Sequence, residues 1–407
     1  MANPFQSYRR LSLGVKILIF MGIGIISGLI FGERAAVVEP LGDLFIRLLL
    51  MAAIPLVFFN LVAAISGLSD VGLLGRLGLK IFTYYLLTTA VALTLGLALT
   101  SWIQPGRGVS LTEEAPEAFG EIPGVVDVLL DLVPTNIVKA FADGNVAQIV
   151  VFAVLCGIAS LLLSPEKREP VKQFFDAMAE LLRKLVGLVL HFGPIGIGAL
   201  AATTVGRYGP SLFGPLALFI GSVWAAQALM VLLYMLLLYF IGRMSPIEFL
   251  KKTGPLYATT AATCSSLASL TVSLDLAEKK LKLPSAIYSF TLPLGAQLNK
   301  DGTSVMLSAI LLFTAQAAGV EFSIASAISI LLIGLILSEG SSGIPGGGLV
   351  AALIFVQAFQ LPLEVAAIVG GIYRFIDMGS TTINCMGDMV GTVIVARSEG
   401  FTVANES

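Results

Sequence analysis

Apolar residues arrive along this chain in long blocks. Six blocks approach the ~20 residues that a helix needs to cross a bilayer. They lie near residues 12–32, 41–66, 78–103, 144–163, 177–204 and 211–241, and each predicts a spanning helix. From residue 245 the pattern changes. The segments YATTAATCSSLASLTVSL and ILSEGSSGIPGGGLVAAL each place a hydroxyl-rich or glycine-rich knot between two apolar arms. The arms run to only about 10–15 residues, too short to span and suited to re-entrant hairpins. Non-helical backbone at membrane depth is tolerated only where it is buried in protein or lines a watery cavity. Each knot precedes a longer apolar helix interrupted by polar residues, first LNKDGTS and then RFIDMGSTTINCMGD. The order hairpin, broken helix, hairpin, broken helix predicts two facing repeats with a site between them near the midplane, the layout of a ligand-binding transporter core.

The last helix adds an arithmetic argument. Arg374, Asp377, Ser380, Thr381, Asn384 and Asp388 recur at intervals of three, three, one, three and four, which places them on one helical face. Such a stripe is untenable against lipid, so it is expected to face inward. Composition agrees with a membrane setting. Hydrophobic residues make up 57% of the 407 and charged residues 12%, with mean hydropathy +0.94, against about 45–50% apolar in soluble domains. The first apolar run, after Arg9 and Arg10, reads as a retained span and not a cleaved signal. Basic clusters at Arg9–Lys16, Lys167–Lys172 and Lys279–Lys282, set against an acidic loop carrying Glu113, Glu114, Glu117 and Glu121, place the N-terminus in the cytoplasm. The formal net charge of -2 says nothing of partners, since in a membrane protein the distribution of charge matters more than its sum; no nucleic acid is expected among them. Cys156, Cys264 and Cys385 are scattered in apolar sequence, so neither a disulfide framework nor a metal spacing is expected, and His191 reads as structural.

The segments YSFTLPLGAQLNKDGT, SSGIPGGG and IDMGSTTINCMGDMVGTVIVARSEG resemble the seventh helix, second hairpin and eighth helix of the dicarboxylate/amino acid:cation symporters, the glutamate and neutral amino acid transporter family. YYLLTT at 84–89 and HFGPIGIGAL at 191–200 extend the resemblance to nearly the whole chain. It implies an all-α membrane protein of eight transmembrane helices plus two re-entrant helical hairpins with inverted repeats, working as an elevator within a homotrimer. Residues 1–77 and 105–208 would form the scaffold (helices 1, 2, 4 and 5). Residues 78–104 (helix 3) and 209–407 would move. In the latter, hairpin 1 is expected at about 246–280, helix 7 at 284–318, hairpin 2 at 322–360 and helix 8 at 362–396. The family is not enzymatic, needs no cofactor beyond sodium ions or protons as coupling ions, and sits among lipid in a cell membrane, here read as a prokaryotic inner membrane.

Residue by residue, the resemblance places Tyr85, Thr88, Thr89, Asn299 and Asp301 in one sodium environment and Asn299, Asn384 and Asp388 in another. Substrate contacts would come from Ser266, Thr303, Ile344, Gly348, Asp377, Thr381 and Asn384, with Asp377 taking an α-ammonium. Ser380 stands where acidic-substrate members carry an arginine, which favours a small neutral amino acid of the alanine, serine, threonine or cysteine kind. Arg374 on the same face keeps an acidic amino acid or C4-dicarboxylate as the second reading. Lys300 replaces a usual methionine and Glu339 a usual apolar residue. If the two pair, the ammonium could stand in for one sodium ion, or protons could couple through Glu339; otherwise Lys300 snorkels and neutralises Asp301. An ion channel remains the alternative class, and an intramembrane enzyme lacks a nucleophile–base pair.

Overall fold

The computed structural model describes residues 13–66, 73–109, 130, 133–144, 146–320, 322, 324–340 and 347–401. Every regular element among them is helical. The first six apolar blocks fold as α1 (Leu13–Phe31), α2 (Glu39–Ser66), α3 (Leu73–Ile103), α4 (Val146–Leu161), α5 (Pro165–Tyr208) and α6 (Phe213–Leu237). Among the described residues, the stretches Val15–Leu48, Arg76–Ile103 and Gly209–Gly242 are long and apolar enough to cross a bilayer. Residues 165–189 and 191–207 of α5 make a fourth candidate, bent by 49° at their junction. Pro194 lies just past that bend, and a proline inside a helix removes an i−4 bond and crowds the preceding turn.

α1 and α2 both pack along α5, and α2 also packs on α4. At the α1–α5 crossing, a side chain on Gly24 would strike the Gly198 carbonyl. Only small residues allow two backbones this close, which is how helices associate where lipid removes the hydrophobic incentive. Arg207 at the end of α5 holds Glu39 at the start of α2 at 2.6 Å. Large apolar side chains on α1 (Ile23, Ile26, Ile30) and α6 (Trp224, Leu232, Leu236) are exposed, as lipid-facing surfaces require.

The second half forms α7 (Pro246–Thr263) and α8 (Ser266–Lys279), α9 (Ser285–Leu298) and α10 (Asp301–Ala317), α11 (Ile324–Gly340) and α12 (Gly347–Ala358), and α13 (Leu363–Ser398). α7–α8 and α11–α12 are the two predicted hairpins. The first turns at Cys264, whose left-handed backbone (φ 48°) closes α7, a conformation costly for a residue with a Cβ. The tip of the second hairpin, with Ile344, lies outside the described residues.

Helix 7 is broken as predicted, at Asn299–Lys300 between α9 and α10. The expectation that the last helix is broken as well is corrected: α13 runs unbroken for 36 residues. Its polar residues project from intact backbone, and Thr381 and Thr382 return their hydroxyls to positions four residues back, so nothing there forces a gap. α10 lies at the centre, against α3, α6, α12 and α13, and nearly all of its side chains are buried.

Candidate functional site

The break in helix 7 brings two helix ends to one place. α9 ends at Leu298 and α10 starts at Asp301, so unpaired carbonyls of one face unpaired N–H groups of the other. A gap of this kind deep in protein must be satisfied from elsewhere. The opposing α13 supplies the partner. Asn384 Oδ1 accepts from the Gly302 N–H at 2.8 Å and the Thr303 N–H at 3.4 Å, while its Nδ2 donates to Thr303 Oγ1 at 3.2 Å. The Asn384 side chain thus caps α10 across the helix interface, because Lys300 at the N-cap position contributes no side-chain cap. A side chain on Gly302 would run into the Ser380 backbone, so glycine permits the crossing.

Two buried carboxylates flank this cap. Asp301 is fully buried and accepts from Thr89 Oγ1 on α3 at 2.7 Å and from Tyr234 Oη on α6 at 2.5 Å. Asp388 on α13 accepts from Asn299 Nδ2 at 2.9 Å, and the same amide donates to the Asn384 carbonyl at 3.0 Å. Gly295 makes room for this arrangement: a Cβ there would collide with both Asp388 Oδ1 and the Tyr85 hydroxyl. Tyr85 Oη donates to the Thr291 carbonyl at 3.2 Å, and Thr88 Oγ1 to the carbonyls of Tyr84 and Tyr85. The structure therefore gathers Tyr85, Thr89, Asn299, Asp301, Asn384 and Asp388 around one break, with Thr88 beside them.

The donor set fits an alkali cation. Asn299 Oδ1 is buried with no hydrogen-bond partner, which costs about 1–3 kcal/mol unless something occupies it. Around it stand carboxylate, amide, hydroxyl and carbonyl oxygens, the hard ligands that small cations prefer. Among the described residues no three or more His, Cys, Asp or Glu side chains gather as they would for a transition metal.

Further along α13 lies the predicted substrate face. Asp377, Ser380 and Thr381 are all buried, and Thr381 Oγ1 donates to Asp377 Oδ1 at 3.4 Å. Ser266, the first residue of α8, is buried next to the first hairpin tip, and Gly348 is buried in α12, where a Cβ would press on the Tyr373 hydroxyl. Ser380 is fully buried, and its Oγ accepts from Gln227 Nε2 at 3.1 Å. Arg374 is only partly buried, and its Nη2 donates to the Ala262 carbonyl at 2.8 Å near the end of α7, joining α13 to the first hairpin. Ile344 and the side chain of Glu339 lie outside the described residues, so the predicted Lys300–Glu339 pair falls outside them too. His191 is exposed on α5, and its Nδ1 bonds the Gly187 carbonyl at 2.7 Å.

Sequence reasoning missed Gln227 and Tyr234. They lie seven residues apart in the apolar α6, hence on one face, and with Phe219, Val223 and Met230 they form its buried stripe. Two polar residues at a two-turn interval in an apolar helix were the available signal.

A match to the sodium:dicarboxylate symporter family covers residues 13–398. The chain is 32% identical over 394 residues to the proton/glutamate-aspartate symporter of Bacillus subtilis, covering 95% of each. It is 33% identical over 407 residues to a C4-dicarboxylate transport protein of Rhizobium etli, covering 98% of this chain and 90% of the relative. The proton/sodium-glutamate symport protein of Bacillus caldotenax is 30% identical over 407 residues, covering 96% of each. With a break in helix 7, two hairpins and a buried oxygen-rich cluster in place, this chain belongs to the sodium:dicarboxylate symporter family, whose members are transporters and not enzymes.

Proposed function

We propose that the protein is a cation-coupled symporter of a small neutral amino acid. The observation that carries the substrate class is the Gln227–Ser380 hydrogen bond inside the protein. Where a guanidinium would grip a side-chain carboxylate, this chain has a hydroxyl already engaged by a buried amide. A substrate carboxylate there would be desolvated without a cationic partner, which is costly. Asp377 supplies the acceptor that an α-ammonium needs, with Thr381, Thr303 and Ser266 providing hydroxyls around it.

The second reading, an acidic amino acid or a C4-dicarboxylate, is favoured by the names of the relatives and by Arg374. A guanidinium has five donors, and one bond to the Ala262 carbonyl leaves others to reach a carboxylate. Against it stands Asp377, whose charge repels an anionic substrate that lacks an ammonium.

The coupling ions are assigned to the Asp301–Asn299–Asp388 cluster, as sodium or protons. Movement is assigned to an elevator in which α3, α6 and α7–α13 travel as one body past α1, α2, α4 and α5. The dense packing of α10 against α3, α6 and α13, and of α1 and α2 against α5, supports that division. A homotrimer with a cytoplasmic N-terminus in a prokaryotic inner membrane completes the proposal.

Uptake of radiolabelled serine into proteoliposomes, with sodium and proton gradients imposed separately, tests it. Gradient-driven uptake that unlabelled alanine inhibits and aspartate or succinate does not is the expected result. Strong inhibition by aspartate or succinate would shift the specificity to Arg374. Saturable conductance without any organic substrate would replace the symporter with a channel.

A further inference from the structure

Lys300 is the side chain that this function does not use. It is 2% exposed at the centre of the protein, although a lysine buried away from water is strongly disfavoured unless its charge has partners. Its Nζ donates to the Ala296 carbonyl at 2.8 Å and lies 3.4 Å from the Asn299 carbonyl. Both carbonyls belong to the end of α9, where the last turn of a helix presents unpaired oxygens and the negative end of its dipole. An alkali cation would seek the same environment at a broken membrane helix. Asp301, the next residue in the chain, and Asp388, which Asn299 Nδ2 holds at 2.9 Å, place two carboxylates at the same break.

We propose that the Lys300 ammonium is a tethered cation that permanently takes the place of one coupling sodium ion at the Asp301–Asp388 cluster. The inference rests on the symporter reading above. Two buried carboxylates share the break with one fixed positive charge, so a single mobile cation neutralises the cluster, and Asn299 Oδ1, the orphaned oxygen beside Asp388, marks the place for it. A snorkelling lysine would instead carry its nitrogen out to water; here the nitrogen is held on backbone carbonyls inside. Coupling is then set by sequence at one position, because removing the ammonium opens a second cation site in an otherwise unchanged oxygen framework.

The test counts ions directly. Purified protein in detergent, without amino acid, is equilibrated with radioactive sodium, and retained ions per chain are compared for wild type, Lys300→Met and Lys300→Arg. Wild type should hold one ion at this cluster, Lys300→Met about one more because an uncompensated buried carboxylate recruits a cation, and Lys300→Arg the same as wild type. Serine-induced thermal stabilisation, followed against sodium concentration, should steepen by about one order in Lys300→Met for the same reason. Equal ion counts and equal steepness in wild type and Lys300→Met would overturn the proposal while leaving the symporter reading intact. If Lys300→Met does not fold, the reversal potential of wild-type proteoliposomes decides: one net charge per zwitterionic substrate supports the tethered cation, and two or more overturn it. Wild type that binds neither sodium nor any amino acid would overturn the symporter reading and this inference with it.

Discussion

Deleting one hydroxyl tests how the Asp301 carboxylate is used. Tyr234 Oη donates to Asp301 Oδ2 at 2.5 Å and Thr89 Oγ1 to Oδ1 at 2.7 Å, with ring and carboxylate both fully buried. Tyr234→Phe keeps the ring and removes one of these two donors, so the perturbation falls on the charge. A hydrogen bond to a charged group contributes about 1.5–3 kcal/mol net. That loss is felt most while the cluster, with Lys300 as its one fixed cation, still lacks its mobile cation, and much less once that cation is bound. The variant should therefore melt below wild type in a sodium-free choline buffer and recover most of the difference at saturating sodium. Its apparent sodium affinity should rise by roughly 10- to 100-fold, at about 1.4 kcal/mol per factor of ten. Fluorescence-detected melts across a sodium titration measure both quantities. Tyr84→Phe is the control: the Tyr84 hydroxyl is buried without a hydrogen-bond partner, so its removal should not lower the melt in either buffer. A Tyr234→Phe deficit of equal size with and without sodium would show Asp301 to be structural and refute the reasoning.

Gly295→Ala drives a methyl into Asp388 Oδ1 and the Tyr85 hydroxyl; overpacking of this kind costs about 1–3 kcal/mol, so the sodium midpoint in the same melts should move to higher concentration by roughly tenfold or more. Asn384→Ala removes the cap that Gly302 and Thr303 rely on; a lost cap costs about 0.5–2 kcal/mol, and hydrogen exchange should accelerate at the start of α10 while α3 stays protected. At the end of α13, Glu399 bonds Lys80 and Arg76 at 2.6 Å each, and these hold its carboxyl below the ordinary value of 4.5, Lys80 foremost. A lowered folded value means that the contribution is present above the unfolded value and is lost as pH falls through the folded one. The melting difference between wild type and Glu399→Gln should thus be small but visible at neutral pH and vanish as acid protonates the paired carboxyl; a difference that does not shrink as pH falls would contradict the pairing.

The helical layout of the chain can be read largely from its apolar blocks. Blocks of ~20 apolar residues must become helices in a bilayer, and α1, α3 and α6 fall on the blocks at 12–32, 78–103 and 211–241. The polar stripe on α13 is equally legible, because helical spacing fixes which residues share a face: Asp377, Ser380, Thr381, Asn384 and Asp388 are all buried, while Arg374 at its start is only partly so. Periodicity could not say whether polar residues interrupt a helix or decorate one, so α13 was expected to break and does not. In helix 7 the break arises because Asn384, 85 positions beyond Asn299, offers the partners that its loose backbone groups need. Pairings of that range depend on three helices meeting, and no local pattern encodes them. The same holds for Gln227 on Ser380, for Tyr234 on Asp301 and for Arg374 on the Ala262 carbonyl. Lys300 is the sharpest instance. The sequence sets a cation beside Asp301; it is the packing of the helices that keeps its nitrogen inside, on the open end of α9, where the helix's unpaired carbonyls and the surrounding low dielectric hold a positive charge.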